Sequence, residues 1–475
     1  MRIQSATVIG CVALAVAAIV AGLFGVSARV ALGPALAVGV DAGNLPYLAI
    51  GSLAAAGWLP DRCDRHDLTR VAGALLAMLA GGVPTLAIGA ALAVVPGLSR
   101  TAALALPGIG GVAIAAVAVG WSGAGAPVPA LPGWTGLPLL VAGPALAAFA
   151  GWQATHAAHL GLLARRIDRA QAGLVAAAWG AALAARGADQ TALAAGALGG
   201  LLVLTASRAA TAVLLARLAA RIGAAAGSAT LDRLGGLASA MPRTSAWAAI
   251  GAVTIAGIPL GGDFGGLWLL AQSMLGVGRI GGAVAEVAVA VGLLGLALAW
   301  TTRVTAVMRA SLAFLGRPHT PRVSAAEERG RDLPAGATGA ALLLLGVAPT
   351  WLWRLLRPHE ALPPLLSGLP LPGLAIVLLV AAAVTVTLRA RAADLRGGGR
   401  RLVPGWRDGA TADPPWLPYG DPRTQAQAAD LAAPAMAFRR LAPLPVAWLA
   451  GVPRSWAALA TGGVIVAALL LADLA

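Results

Sequence analysis

The chain of 475 residues combines an apolar composition with a basic net charge of +15, which excludes an ordinary soluble domain. Hydrophobic residues make up 59% of the sequence, charged residues only 11%, and the mean hydropathy is +0.82. Soluble domains carry about 25% charged residues. The composition therefore predicts a multi-pass protein of the cell inner (cytoplasmic) membrane. All 34 basic residues are arginine, because the sequence contains no lysine.

The apolar runs are about 20 residues long and do not alternate with polar residues, which favours membrane-spanning helices over a β-barrel. We predict an all-α, polytopic transmembrane helix bundle with about 12 spans. The first apolar run follows Met1-Arg2 and continues past Gly33 without a good cleavage site. It therefore predicts a retained helix rather than a signal peptide.

Four segments are predicted along the chain. They are N-terminal transmembrane helices at 1–133, a transmembrane core at 134–388, a polar cytoplasmic loop at 389–442 and a C-terminal transmembrane helix at 443–475. Glycine, proline and arginine dominate the polar loop, so we expect no hydrophobic core of its own. Docking of this loop on a partner or on anionic headgroups, and simple solvation, are both consistent with its composition.

Arginine placement predicts the orientation of the bundle, because cytoplasmic loops are enriched in basic residues. Most arginines fall in four predicted connections, at 153–170, 217–243, 303–333 and 389–442. The alternate connections hold four, which are Arg186, Arg279, Arg354 and Arg357. The arginine-rich side is therefore predicted to be cytoplasmic.

One predicted span is interrupted by helix-breaking residues. Residues 255–270 read IAGIPLGGDFGGLWLL, so that an apolar helix meets a proline, several glycines and one acid. The residues of this predicted break are Gly257, Pro259, Gly261, Gly262, Gly265 and Gly266. Broken helices at membrane depth occur where the freed backbone is buried in protein or lines a wet cavity, and they often mark ion pathways. A loop between two short core helices is the alternative.

The sequence contains no motif for a metal, a redox cofactor or a nucleic acid. Cys11 and Cys63 lack metal or redox spacing, and the five histidines form no metal motif. Cluster, haem and flavin motifs are absent as well. We therefore predict no catalytic centre, no cofactor, no metal and no nucleic-acid partner.

Polar residues inside apolar runs are the candidates for ion handling, because intramembrane charges are usually functional. Glu286 sits inside the apolar run GGAVAEVAVAVGLLGLALAW, where it could handle protons or ions. An ion pair of Glu286 with Arg208 or Arg303 is the competing interpretation. Arg208 lies mid-span and needs a carboxylate, water or carbonyl partner.

Two further sets of candidates have structural alternatives. Asp263 could transfer protons, or it could cap the second half of the broken helix. His156 and His159, spaced i and i+3, are predicted on one helix face. They could form a proton shuttle or a metal pair, or they could lie at the membrane interface without a role.

The region around the break resembles a known family. Residues 231–237 read LDRLGGL and are followed by Met241-Pro242, and residues 256–259 read AGIP, followed by Phe264 and the Trp-Leu-Leu at 268–270. This pattern is similar to that of the proton-conducting membrane subunits of respiratory complex I, Mrp-type antiporters and energy-converting hydrogenases. The likeness extends in particular to the large antiporter-like subunit of hydrogenase-4 and formate hydrogenlyase.

Two later segments continue the resemblance, RASLAFLGRPHTPR at 309–322 and RTQAQAADLAAP at 423–434. Together the resemblance covers about residues 135–440. It implies an interrupted helix that belongs to a hydrated proton half-channel.

The sequence departs from the family at the residues that carry protons. The family uses buried lysines, a glutamate and histidines. Aligned with the family, the histidine position is Arg208, lysine positions become Gly161 and Ala212, the glutamate position becomes Leu267, and a later lysine position lies within one residue of Arg309. Arginine stays protonated at accessible pH, so it fixes charge but does not pass a proton on.

The resemblance implies a membrane-arm subunit of a complex I-like, NADH:quinone oxidoreductase-like or hydrogenase-type assembly. Such a subunit would translocate protons or monovalent cations, or would be a degenerate scaffold remnant, beside other membrane and peripheral subunits. Two alternatives remain, a membrane anchor for an inorganic-carbon uptake or other redox partner and a stand-alone secondary transporter.

Overall fold

The computed structural model describes residues 2–31, 37–40, 44–58, 65–79, 88, 92, 133–227, 229–231, 234–314 and 333–367. Helices dominate this part of the chain, which confirms the predicted all-α class. The helices are α1 (Arg2–Leu23), α2 (Leu45–Trp58), α3 (Arg65–Met78), α4 (Gly136–Thr155), α5 (Leu160–Gly187), α6 (Thr191–Ala226), α7 (Leu237–Ala240), α8 (Pro242–Ile255), α9 (Gly262–Ile280), α10 (Gly282–Ser311), α11 (Leu333–Val347), α12 (Thr350–Leu356) and α13 (Pro364–Ser367). Two short strands, β1 (Ala28–Ala31) and β2 (Ala37–Val40), pair antiparallel with Ala28 opposite Val40.

Three helical stretches of the described residues are long and apolar enough to cross a membrane. They are Gly133–Thr155, which includes a 3₁₀ turn before α4, Thr191–Ala226, and Gly282–Phe314, which includes a 3₁₀ turn after α10. The pair formed by Pro334–Val347 and Thr350–Leu356 is bent by 108° and can count as a fourth span. The protein is thus a multi-pass membrane protein. The predicted polar loop at 389–442 and C-terminal helix at 443–475 lie outside the described residues.

Close backbone packing joins α4 to α5. A Cβ atom added to Gly143 would lie 2.6 Å from the carbonyl oxygen of Gly173, and Gly136 and Gly180 meet in the same way one heptad away. Glycine has no side chain, so the two antiparallel backbones can approach closely at these positions. Such close packing stabilises helix pairs in lipid, where contact between apolar side chains contributes little by itself. The alanine-rich faces between them are buried.

The ends of α4, α5 and α6 meet at one end of the bundle. The amide of Leu160 donates to the carbonyl of Ala229 at 2.9 Å, and the amide of Leu231 donates to the carbonyl of Ala158 at 2.9 Å. Arg166, near the start of α5, also lies here. We call this end of the bundle the arginine-rich end.

Three segments predicted as connections are partly helical. The segment 153–170 holds the first turns of α5, the segment 217–243 holds the last turns of α6, and the segment 303–333 begins inside α10. The prediction was wrong because charged residues within a helix resemble a loop by composition when their partners lie on other helices. Arg303, counted as a loop arginine, is fully buried.

The predicted break is confirmed between α8 and α9. The chain leaves helical geometry at Gly257, with φ +61°, and at Leu260, with φ +86°. The freed backbone is satisfied inside the protein, because the indole of Trp300 donates to the carbonyl of Ala256 and the amide of Gly262 donates to the hydroxyl of Thr254 at 3.3 Å. Buried, satisfied backbone is the condition under which broken helices are stable at membrane depth.

Candidate functional site

A buried carboxylate lies at the start of α9, directly after the helix break. Asp263 has no exposed surface, and its carboxylate accepts hydrogen bonds from side chains of three other helices. Gln171 Nε2 of α5 donates to both oxygens at 3.1 Å, and Ser207 Oγ of α6 donates at 2.6 Å. Arg303 Nη2 of α10 forms an ion pair with the same carboxylate. We call these four residues the Asp263 cluster.

Sequence periodicity explains how the cluster is assembled. Asp168 and Gln171 are one turn apart on α5, and neighbours at this spacing share a helix face. Ser207 and Arg208 are adjacent on α6, so the two helices present two polar pairs to each other. Gly262 leaves room for the approach, since an added Cβ would lie 2.9 Å from the hydroxyl of Ser207.

A second buried ion pair lies beside the Asp263 cluster. Arg208 Nε donates to Asp168 Oδ1 at 2.8 Å, and Arg208 Nη2 donates to Asp168 Oδ2 at 3.2 Å. The side chains are 6% and 1% exposed. The pair is bidentate, which is the geometry that arginine and carboxylates favour. This partner satisfies the requirement predicted for Arg208.

The Asp263 cluster contains buried polar atoms that lack hydrogen-bond partners among the described residues. They are Nε and Nη1 of Arg303 and Oε1 of Gln171. Two of these atoms are donors and one is an acceptor. Ordered water molecules commonly form hydrogen bonds with buried polar groups that lack a protein partner. A buried water molecule commonly makes about three such hydrogen bonds. The arrangement can therefore hold water against Asp263.

The capping hypothesis for Asp263 is not what the geometry shows. The N-cap of α9 is Gly261, and no side chain forms a cap hydrogen bond there. Asp263 lies in the first turn, where a negative charge is favoured by the helix dipole. Its oxygens nevertheless face Gln171, Ser207 and Arg303 rather than the backbone amides of its own helix.

Glu286 lies apart from this cluster. It is the fifth residue of α10 and is exposed, whereas Ala285 and Val289 of the same helix face the bundle. The alternative in which Glu286 pairs with Arg208 or Arg303 is wrong, because those arginines pair with Asp168 and Asp263. A role for Glu286 in ion handling stays a prediction.

The histidine candidates do not share a helix face. His156 follows the last residue of α4, and His159 is the N-cap of α5, where its Nδ1 accepts the amide of Gly161 at 3.0 Å. The chain turns between them, so the i, i+3 spacing is not helical here. Burial lowers the pKa of His156, and the positive charges of Arg309 and Arg166 lower it further.

Arg309 lies in the last turn of α10, at the arginine-rich end. Its Nη1 donates to the carbonyl of Thr155, the last residue of α4. The predicted break residues Pro259, Gly265 and Gly266 lie in the break or the first turns of α9. Among the described residues, no group of three or more potential metal ligands occurs.

Sequence reasoning missed Asp168, Gln171 and Ser207 as site residues. Asp168 stands among arginines in the run ARRIDRAQAG, which gives it the composition of a solvated segment. The spacing could have indicated that these residues are buried, because Asp168 and Gln171 lie on the same helix face as the apolar residues Ala164 and Val175. Only the packing of α5 on α6 shows which arginine neutralises the acid.

Comparison with protein-family models gives no match. Two curated proteins of Mycobacterium tuberculosis, Rv0083 and MT0090, both described as uncharacterized, are 32% identical to this chain over 252 residues. The match covers 52% of this chain and 39% of each relative. The matched region therefore spans well under half the length of these relatives.

Solved structures show the fold. A chain of the membrane-bound sulfane sulfur reductase, an archaeal respiratory membrane complex, is similar over 98% of this chain and 96% of that chain, with a TM-score of 0.61 and 15% identity. A chain of the Mrp complex from Dietzia sp. is similar over 77% of this chain and 95% of that chain, with a TM-score of 0.50 and 15% identity. The fold is that of polytopic, antiporter-like membrane subunits, as the sequence resemblance predicted.

Proposed function

We propose that this chain, which has the fold of antiporter-like membrane subunits, is a membrane-arm subunit of a multi-subunit ion-translocating complex. The Asp263 cluster would be its ion-handling site. One observation carries the proposal: a fully buried carboxylate at the break between α8 and α9, held by side chains of three further helices. Acids inside membrane proteins are costly, and they commonly mark ion pathways.

The chemistry of the cluster favours protons as the ion and Asp263 as the group that exchanges them. Arginine keeps its proton at accessible pH, so Arg303 can only supply a fixed positive charge. Asp263 can accept a proton once Arg303 moves or a bridging water separates the pair. The unbonded donors of Arg303 and the unbonded oxygen of Gln171 offer positions for that water.

The ion pair of Asp168 and Arg208 suggests the direction in which a proton would move away from Asp263. Asp168 lies one turn closer than Gln171 to the start of α5, and this start is at the arginine-rich end. A proton leaving Asp263 would meet Asp168 next. Arg208 would hold the charge of Asp168 as Arg303 holds that of Asp263. In this proposal two arginine–carboxylate pairs take the place of the lysines that the related families use.

Proton flux across proteoliposomes containing the full chain tests the proposal. Under an imposed pH gradient, wild type should carry protons and Asp263→Asn should not, because the amide cannot exchange a proton. Glu286→Gln is the matched control, since it removes an exposed carboxylate outside the cluster. Equal flux in wild type and in a folded Asp263→Asn protein would exclude Asp263 as the ion-handling group.

A scaffold without transport is the second candidate, and one observation favours it. Both buried acids are already neutralised by arginines, and the chain contains no lysine. Two static ion pairs can fix the register of α5, α6, α9 and α10 without moving a proton. The absence of flux in wild type, in Asp263→Asn and in Glu286→Gln alike would support this candidate.

The identity of the complex is a further part of the proposal. The sulfane sulfur reductase is described as a respiratory membrane complex, which supports a partner that transfers electrons. A hydrogenase-type or formate hydrogenlyase-type assembly fits the sequence resemblance, and an inorganic-carbon uptake partner is the alternative. Affinity purification of the tagged chain from its native membranes, followed by mass spectrometry, tests this part. A chain recovered alone would favour a stand-alone transporter.

A further inference from the structure

Arginines surround the carboxyl end of α4. Arg166 Nη1 donates to the carbonyl of Gln153, and Arg309 Nη1 donates to the carbonyl of Thr155. These carbonyls are two residues apart in the last turn of α4, so two guanidinium groups from α5 and α10 flank one helix end. Arg169, one turn along α5 from Arg166, is exposed beside them.

Among the described residues, the positive charge at this helix end has no balancing carboxylate. Within the described part of the chain, Arg166, Arg169 and Arg309 form no ion pair with a carboxylate. The carboxyl end of a helix carries about half a negative charge, which offsets only a small part of three positive charges. Arg166 and Arg309 each use one N–H on a carbonyl, and a guanidinium has five. The remaining donors are suited to the oxygens of an anion, which guanidinium groups bind in a bidentate manner.

An apolar and aromatic stripe leads along α4 to these arginines. Leu146 is 46% exposed and Phe149 is 53% exposed, and they are followed at helical spacing by Trp152 and His156. Ring centroids are 6.0 Å apart between Phe149 and Trp152, and 5.5 Å apart between Trp152 and His156. Tryptophan is enriched where the headgroups of a bilayer begin. The surface thus changes from apolar to aromatic to cationic within about three turns of helix.

We propose that this surface binds one anionic phospholipid, with its phosphate against Arg166 and Arg309 and an acyl chain along Leu146 and Phe149. Basic pockets between membrane helices commonly bind anionic headgroups. A free phosphate would satisfy the arginines but would leave the exposed apolar stripe unused. The lipid accounts for both halves of the surface, so we assign the site to a lipid. The site lies outside the Asp263 cluster and does not depend on proton transport.

Native mass spectrometry of the full chain, purified with a mixture of phosphatidylglycerol and phosphatidylcholine, tests the assignment. Wild type should retain phosphatidylglycerol in preference. Arg166→Gln/Arg309→Gln should retain it about 20- to 30-fold more weakly, since each basic residue near the surface adds about a factor of five. Arg279→Gln, which changes an exposed arginine of α9 at the opposite end of the bundle, is the matched control and should bind like wild type.

Two further measurements separate charge from folding and lipid from free phosphate. Arg166→Lys/Arg309→Lys keeps both charges, so it should retain more phosphatidylglycerol than the glutamine variant, although less than wild type. Inorganic phosphate should not displace the lipid or raise thermal stability in phosphatidylcholine nanodiscs. The proposal would be overturned by equal retention in wild type and the glutamine variant, by equal retention of both lipids, or by full stabilisation with inorganic phosphate.

Discussion

Replacing Arg303 with methionine should destabilise the protein by about 3–5 kcal/mol, because it leaves the buried charge of Asp263 without its counter-charge. The side chains of Arg303 and Asp263 are both 0% exposed, so bulk water does not screen the remaining charge. Hydrogen bonds from Gln171 and Ser207 remain, and each bond to a charged group contributes about 1.5–3 kcal/mol. They reduce the cost but do not remove it, because they supply no net charge.

The double variant Asp263→Asn/Arg303→Met should recover most of the lost stability. Buried ion pairs can often be replaced by neutral groups at little cost, whereas removing one partner is costly. Each single change leaves one buried charge unpaired, so we expect a coupling free energy of at least about 3 kcal/mol between the two sites. The assay is unfolding of the purified chain in a detergent–SDS titration, followed by tryptophan fluorescence. Arg279→Gln is the control. Additive single effects, or a loss below about 1 kcal/mol for Arg303→Met, would refute this account of the cluster.

Three other predictions concern packing and pH. Gly143→Leu should separate α4 from α5, because its Cβ would overlap the carbonyl oxygen of Gly173. We expect the free energy of unfolding to fall by at least about 1–3 kcal/mol. Gly10→Ala, whose Cβ would have no neighbouring atom within 4 Å, should be neutral in the same titration. Gly346→Ala should lower the melting temperature, because its Cβ would overlap a carbonyl of the helix break. Because the pKa of His156 is lowered in the folded chain, the unfolded chain binds more protons than the folded chain as the pH falls below about 6.5. Wild type should therefore lose stability from pH 7 to pH 5.5 relative to His156→Gln, and parallel pH profiles would contradict this.

The sequence was sufficient to predict the fold class and the break. Pro259 and the glycines around it disrupt an apolar run, and such a disruption is a local property that composition and spacing report directly. The requirement that Arg208 find a partner could be predicted as well, since a mid-span charge must be balanced. The identity of that partner could not, because it depends on which face of α5 packs on α6.

One error shows what local patterns miss. Arg303 and Asp168 looked like loop residues because they stand near other charges. Their burial follows from pairing with Asp263 and Arg208 across the bundle, and tertiary pairing of this kind leaves no trace in composition.

Difference infrared spectroscopy of the reconstituted chain tests most directly whether Asp263 exchanges a proton. The chain contains 19 acidic residues, so lowering the pH produces a carboxylic acid carbonyl band with contributions from several of them. We predict that one component of this band is missing from Asp263→Asn but present in Glu286→Gln. A band whose components are all unchanged in Asp263→Asn would contradict the assignment of the proton to Asp263, and would show that its buried pair with Arg303 is static.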